Sequence, residues 1–232
     1  MTPILECRNL SKHFSGKEAL TGINLTVGRG RIVGLLGPNG SGKTTLIKLA
    51  SGLLTPTFGE ILVDGKKPGM ETKKIVSYLP ERTYLADWMR VNDLLDFFAD
   101  FYTDFDKQKA LEMLHRLNIG ATDKLKTMSK GTKEKVQLIL VMSRSAELYL
   151  LDEPIGGVDP AARDYILSTI IGNYHESSTV IISTHLITDV EKTIDDVIFI
   201  QAGKITLTSS VDDIREQHGK TVDELFREVF RC

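Results

Sequence analysis

The sequence predicts an α/β fold with a mostly parallel sheet, an antiparallel β-subdomain at its N-terminal side and an inserted helical subdomain. Three observations predict it. Short runs rich in Ile, Val and Leu alternate with helical stretches, as when parallel strands are joined by crossover helices. A glycine-rich loop stands between a continuously apolar run and a helix. From about residue 85 to 145 the apolar residues recur at helical spacing with no strand between them. The 232 residues suffice for one folding unit with a substantial core.

Taken in order, Ile4–Cys7, Ile23–Val27, Ile32–Leu36, Ile61–Val63 and Ile75–Leu79 read as strands punctuated by Gly, Asn, Pro and Asp. The alternation of Ile23, Leu25 and Val27 suits a half-exposed antiparallel strand, whereas Ile32–Leu36 is apolar throughout and suits a strand buried on both faces. Thr45–Ser51 begins a helix. Val91–Tyr102, Lys107–Leu117 and Lys133–Arg144 follow as helices. Leu148–Leu151 returns to strand, Ala161 to about Tyr174 to helix, and Val180–Ser183, Val197–Ile200 and Ile205–Leu207 to strand. A last helix runs from about Val222 to Phe230. The expected division is a core of about 1–84 and 146–210 with the antiparallel β-subdomain, a helical subdomain of about 85–145 and a C-terminal helical tail of about 211–232.

Composition narrows the function. With 29 basic and 31 acidic side chains the formal charge is −2, without the basic excess of a dedicated nucleic-acid binder. At 41% hydrophobic and 26% charged, the chain is an ordinary globular protein. The longest apolar run, Val136–Met142, is broken by Gln137 and is too short to span a bilayer. The segment MTPILECRNLSK lacks the basic-then-apolar order of a secretory signal. Cys7 and Cys232, at opposite ends, make no disulfide framework and suit a reducing cytosolic setting. The expected location is cytoplasmic, with any membrane role exercised through a partner.

Gly37-Pro38-Asn39-Gly40-Ser41-Gly42-Lys43-Thr44 fits G-x-x-x-x-G-K-[ST] between strand and helix. The glycines let backbone N–H groups close on phosphate oxygens, and the helix N-terminus that follows favours anions. Lys43 is expected to reach the terminal phosphates and Thr44 to place its hydroxyl on Mg²⁺. These residues point to a nucleoside triphosphate. Leu148-Tyr149-Leu150-Leu151-Asp152-Glu153 ends an apolar strand in two carboxylates, at the end where open α/β sheets bind ligands. Asp152 is the expected partner of Thr44 at the metal. Adjacent strand residues face opposite ways, which would leave Glu153 to address the attacking water. Val180-Ile181-Ile182-Ser183-Thr184-His185 repeats the form, with His185 a candidate for the γ-phosphate or the water; a histidine after a strand also serves structure alone.

In this order the motifs resemble the nucleotide-binding domain of an ABC (ATP-binding cassette) protein, from about residue 3 to 210. GPNGSGKTT, residues 37–45 and so including Thr45, matches Walker A; LYLLDEP, 148–154, matches Walker B with its catalytic glutamate, Glu153. Gly157-Val158-Asp159 sits where the D-loop belongs and Ser183-Thr184-His185 matches the switch histidine. The resemblance implies a P-loop NTPase core, ATP and Mg²⁺. It makes Phe14 an adenine platform, although composition alone reads a core phenylalanine there.

Two motifs depart from the usual pattern. The signature segment is Met128-Ser129-Lys130-Gly131-Thr132, keeping Ser129 and Gly131, and Glu81 stands at the Q-loop position. Both variants resemble ATPases of bacterial ABC-2-type exporters. Glu81 becomes a candidate metal ligand. Lys130 is either a solvated lysine or a contact to a facing subunit's phosphate. In such proteins ATP is held between Walker A of one cassette and the signature of another, so the resemblance implies a second ABC domain, identical or related. It also implies an integral membrane subunit, to which the chain binds peripherally on the inner face. A soluble or regulatory ABC ATPase is the alternative; Lys43, Asp152, Glu153 and His185 argue against a binding-only role. Half of the sixteen aromatic side chains fall between residues 78 and 105. Tyr84–Met89 are read as lining a partner groove, and Phe97, Phe98 and Phe101 as core.

Overall fold

The computed structural model describes residues 2–156 and 158–230; Met1, Gly157, Arg231 and Cys232, and with them part of the D-loop motif, lie outside the described residues. Three strands, β1 (Leu5–Phe14), β2 (Lys17–Val27) and β4 (Phe58–Val63), form an antiparallel sheet in the order β2-β1-β4. Ser15 and Gly16, both at positive φ, make the two-residue turn between β1 and β2, the geometry that matches the strands' own twist. The second sheet runs β5-β6-β7-β3-β8-β9. It contains β3 (Ile32–Leu36), β5 (Val76–Leu79), β6 (Leu148–Asp152), β7 (Thr179–Thr184), β8 (Asp196–Gln201) and β9 (Lys204–Ser210). All its pairings are parallel except β8 with β9. The fold class read from the sequence is the one observed.

The sheet's two faces make two cores. Val33 and Leu35 of β3 face the antiparallel sheet and α1 (Lys43–Ala50), whose Leu46, Ile47 and Leu49 are buried there. Ile32 and Leu36 face the opposite core, with the helices α3 (Val91–Phe101), α4 (Lys107–Arg116), α5 (Lys130–Met142) and α6 (Pro160–Asn173). Strands β3, β6 and β7 are buried along their whole length, and strands covered on both faces read as near-continuous apolar runs, interrupted here by polar residues at the ends of β6 and β7. The short α2 (Met70–Lys73) and α7 (Ile187–Val190) connect strands, and α8 (Val211–His218) and α9 (Val222–Val229) close the described chain. No described helix is long and apolar enough to cross a membrane.

Helices α3 to α5 lie between β5 and β6 in the chain. Arg144, buried after α5, binds their end to the sheet. It donates to Val76 O at 2.6 Å and Lys74 O at 2.8 Å, pairs with Asp104 at 3.0 Å, and stacks on Tyr102 with its guanidinium carbon 3.9 Å from the ring centre. Beside it lies a hollow of about 540 Å³ walled by Tyr78, Tyr84, Phe98 and Tyr102, with Lys48, Lys73 and Arg82 on its walls. Two aromatic expectations need correction. Of Phe97, Phe98 and Phe101 only Phe98 is core; Phe97 and Phe101 stack on each other at 4.5 Å, 47% and 68% exposed. Helix α3 has one buried face, and Leu94, Leu95 and Phe98 fill it. Of Tyr84–Met89, only Tyr84 lines the hollow, while Leu85 and Met89 pack against the core and Trp88 points to solvent.

Candidate active site

The strand order β6-β7-β3 sets three strand ends side by side, with Asp152 opposite Ser183 and Leu36 opposite Thr184. The loop after β3, the carboxylates after β6 and the histidine after β7 therefore meet at one edge, the usual ligand edge of an open α/β sheet.

The loop from Gly37 to Gly42 is pressed against its neighbours. A Cβ on Gly37 would stand 2.3 Å from the Ile200 carbonyl oxygen, and one on Gly42, which has φ 113°, 2.8 Å from that of Ala19. Only glycine fits at these two places. Lys43 opens α1 and is buried. Its Nζ donates to Gly37 O at 2.8 Å and Pro38 O at 3.2 Å and lies 3.3 Å from Glu153 Oε1. Ser41 Oγ is buried without a partner among the described residues.

Thr44 Oγ1 donates to Asp152 Oδ1 at 3.0 Å and Ser183 Oγ donates to the same oxygen at 2.7 Å. Asp152 Oδ2 is buried and accepts nothing from the described residues. Burial holds the Asp152 carboxyl above its ordinary range, the bonds from Ser183 and Thr44 oppose this, and the charges of Glu81 and Glu153 add to the rise. A carboxylate oxygen without a donor, beside a threonine hydroxyl, is an oxygen site that fits a divalent cation such as Mg²⁺, which keeps much of its own water.

Glu153 corrects an expectation. It lies beyond β6, in the left-handed region at φ 51°, so a turn and not strand alternation separates it from Asp152. A non-glycine residue costs about 1 kcal/mol there. The surroundings hold it. Its N–H donates to Ser183 O at 3.0 Å, while Oε2 lies 3.0 Å from His185 Nδ1 and Oε1 faces Lys43. One carboxylate thus joins the phosphate loop to the end of β7.

A cleft of about 830 Å³ opens over these groups. Asn39, Gly40, Gly42, Lys43, Thr44 and Thr45 of the phosphate loop and helix α1 line it, together with Glu153, His185, Phe14 and Glu81. Phe14 is 42% exposed, and Lys12 Nζ lies 5.1 Å from its ring centre. It is not a core residue. Ser129, Gly131 and Asp159 are outside the described lining. Ser129 caps α5, its Oγ accepting from Thr132 N at 3.2 Å. Lys130 borders the cleft of its own chain and lies 3.7 Å from Glu134. Lys17, Ala19, Arg82, Thr83 and Glu134 also line it and were missed from the sequence. For Lys17 and Ala19 the signal was available: they follow the hairpin turn that presents Phe14.

Comparison with known proteins adds to this geometry. The family model described as ABC transporter matches residues 20–156. The ABC transporter ATP-binding protein YtrB of Bacillus subtilis (strain 168) is 32% identical over 220 residues, 94% of this chain and 75% of YtrB. The SkfA peptide export ATP-binding protein SkfE of the same organism is 32% identical, over 92% of each chain. A solved structure described as the ATP-binding subunit of an ABC transporter superposes with TM-score 0.88 at 29% identity, covering 98% of this chain and all of that one.

Proposed function

This chain belongs to the ABC transporter family, and on that premise we propose that it is the ATP-hydrolysing subunit of an exporter, driving a separate membrane subunit through ATP-dependent pairing of two cassettes. The observation that carries this reading is the joined set Lys43–Glu153–His185 beside Thr44–Asp152. It offers a cation for phosphate, a carboxylate for water and an oxygen pair for a metal at one strand edge.

Each group then has a task. The Lys43 ammonium exchanges its loop carbonyls for the terminal phosphates, and the loop's N–H groups hold the remaining oxygens. Thr44 and Asp152 would hold Mg²⁺, with Glu81 as a further ligand, and the ion would supply positive charge against the phosphates. Glu153 takes the proton of the attacking water, a role worth about 10²–10⁴-fold in rate. His185 keeps that carboxylate oriented and faces the γ-phosphate. Phe14 stacks on the base. Ser129, Gly131 and Asp159 of a second cassette, the same chain or a related one, close the site from outside, which agrees with their position away from the cleft lining. Lys130 stands at the same seam.

In this reading the segment of about residues 85–145 is the arm that meets the membrane subunit, at the aromatic hollow around Tyr84. The chain sits on the inner face of the membrane. The export direction draws on SkfE, named for peptide export.

Sedimentation of the Glu153→Gln variant with ATP and Mg²⁺ tests the pairing. The variant keeps the hydrogen-bonding shape of the site but lacks the base. The expected result is a species of twice the 25.8 kDa chain mass that returns to monomer when ATP is removed. A variant that binds ATP and stays monomeric contradicts ATP-driven pairing of identical cassettes.

A further inference from the structure

Three side-chain polar atoms are buried with no partner among the described residues, and two of them, Asp152 Oδ2 and the hydroxyl of Tyr78, belong to the paired strands β6 and β5. Tyr78 lies on β5 opposite Leu150 of β6. Both pack into the core on the α1 side of the sheet. Residues two apart on a strand share a face, so Asp152 points to that side as well, where Thr44 at the start of α1 donates to it. Asp152 is thus the diagonal same-face neighbour of Tyr78. With strands ~4.8 Å apart and a rise of ~3.3 Å per residue, such neighbours lie about 8 Å apart along the backbone, a span an aromatic side chain can cover. One orphan is a donor and the other an acceptor. The ring of Tyr78 also walls the aromatic hollow beside α5.

We propose that Tyr78 is a positioning residue of the metal site: its hydroxyl donates to a water that Asp152 Oδ2 also holds, and so fixes that oxygen for the cation. A water between a lone donor and a lone acceptor satisfies both. Burial, followed by the charges of Asp152 and Glu81, pushes the Tyr78 phenol up from its ordinary value, so it remains protonated and able to donate. The inference rests on the nucleotide-site reading above and adds a residue to it. It also places one ring between the metal carboxylate and the hollow proposed for the membrane subunit.

The test compares full-length Glu153→Gln with Glu153→Gln/Tyr78→Phe, so that ATP persists. Mn²⁺ is titrated in the presence of ATP and followed by electron paramagnetic resonance. ATP affinity in EDTA and melting temperature are recorded for both. Loss of a group that orients a metal ligand costs about tenfold in metal affinity. The expected result is Mn²⁺ binding weakened about tenfold by Tyr78→Phe, with metal-free ATP affinity unchanged and the fold intact. Equal Mn²⁺ affinity in the two variants overturns the proposal. So does a parallel loss of metal-free ATP affinity and melting temperature, which marks a purely structural role. If even Glu153→Gln alone binds no Mn²⁺ with ATP, the nucleotide-site reading fails together with it.

Discussion

Asp152 is the residue at which stability and function are most opposed. Its carboxylate is buried, one oxygen satisfied twice and the other accepting nothing from the described residues. Because burial raises its folded-state value, the native protein binds more protons than the unfolded chain as pH rises past the ordinary carboxylate range, and stability falls through that window. Asp152→Asn removes the buried charge. The metal-free variant is expected to be more stable than wild type by about 1 kcal/mol near neutral pH, with the difference shrinking as pH falls toward 4. Thermal melts of both proteins from pH 4 to 7 check this. A difference independent of pH removes burial of the charge as its cause. Glu153, by contrast, is held in a left-handed turn by groups at the end of β7 and at the start of α1. Its position depends on its neighbours as much as on its own conformation.

At the scale of elements, Arg144 is the tie between the helical segment and the sheet. Arg144→Met keeps most of the volume but leaves Asp104 and the carbonyls of Lys74 and Val76 without their donor. Breaking a buried pair from one side costs roughly 3–5 kcal/mol, so urea unfolding should lose at least about 3 kcal/mol. A loss under about 1 kcal/mol would show that the tie carries little of the packing. The elements also differ in how legible they are. Strands β3, β6 and β7 announce themselves because burial on both faces favours near-continuous apolar runs, and the phosphate loop because its glycines have steric causes that no other residue meets. Helix α8 does not. Only Val211 and Ile214 of its eight residues are buried, too few for a periodic signal. Its marks are local instead: Ser210 capping Asp213 N and Gly219 at φ 60°. The exposed Phe97 and Phe101 share composition with buried Phe98, and only the phase of α3 separates them. The turn at Glu153 could not be read either, since nothing in Asp-Glu-Pro distinguishes the last strand residue from the first residue beyond it.

Across the whole molecule, the cleft and the aromatic hollow are joined by one short segment. Glu81 and Thr83 line the cleft, Pro80 and Tyr84 the hollow, and Arg82 both. Gln137, buried in α5, pins this segment, accepting from Tyr84 N at 3.2 Å and donating to Pro80 O at 3.4 Å. A change at the phosphates is therefore one loop away from the surface proposed for the membrane subunit. All of this depends on the strand-edge cluster being a site of ATP hydrolysis. The most direct measurement is phosphate release by the purified full-length protein with ATP and Mg²⁺, beside Glu153→Gln. The account predicts measurable turnover in the first and a fall of at least about 10²-fold in the second, with ATP binding retained in both. Turnover undiminished by Glu153→Gln would contradict it.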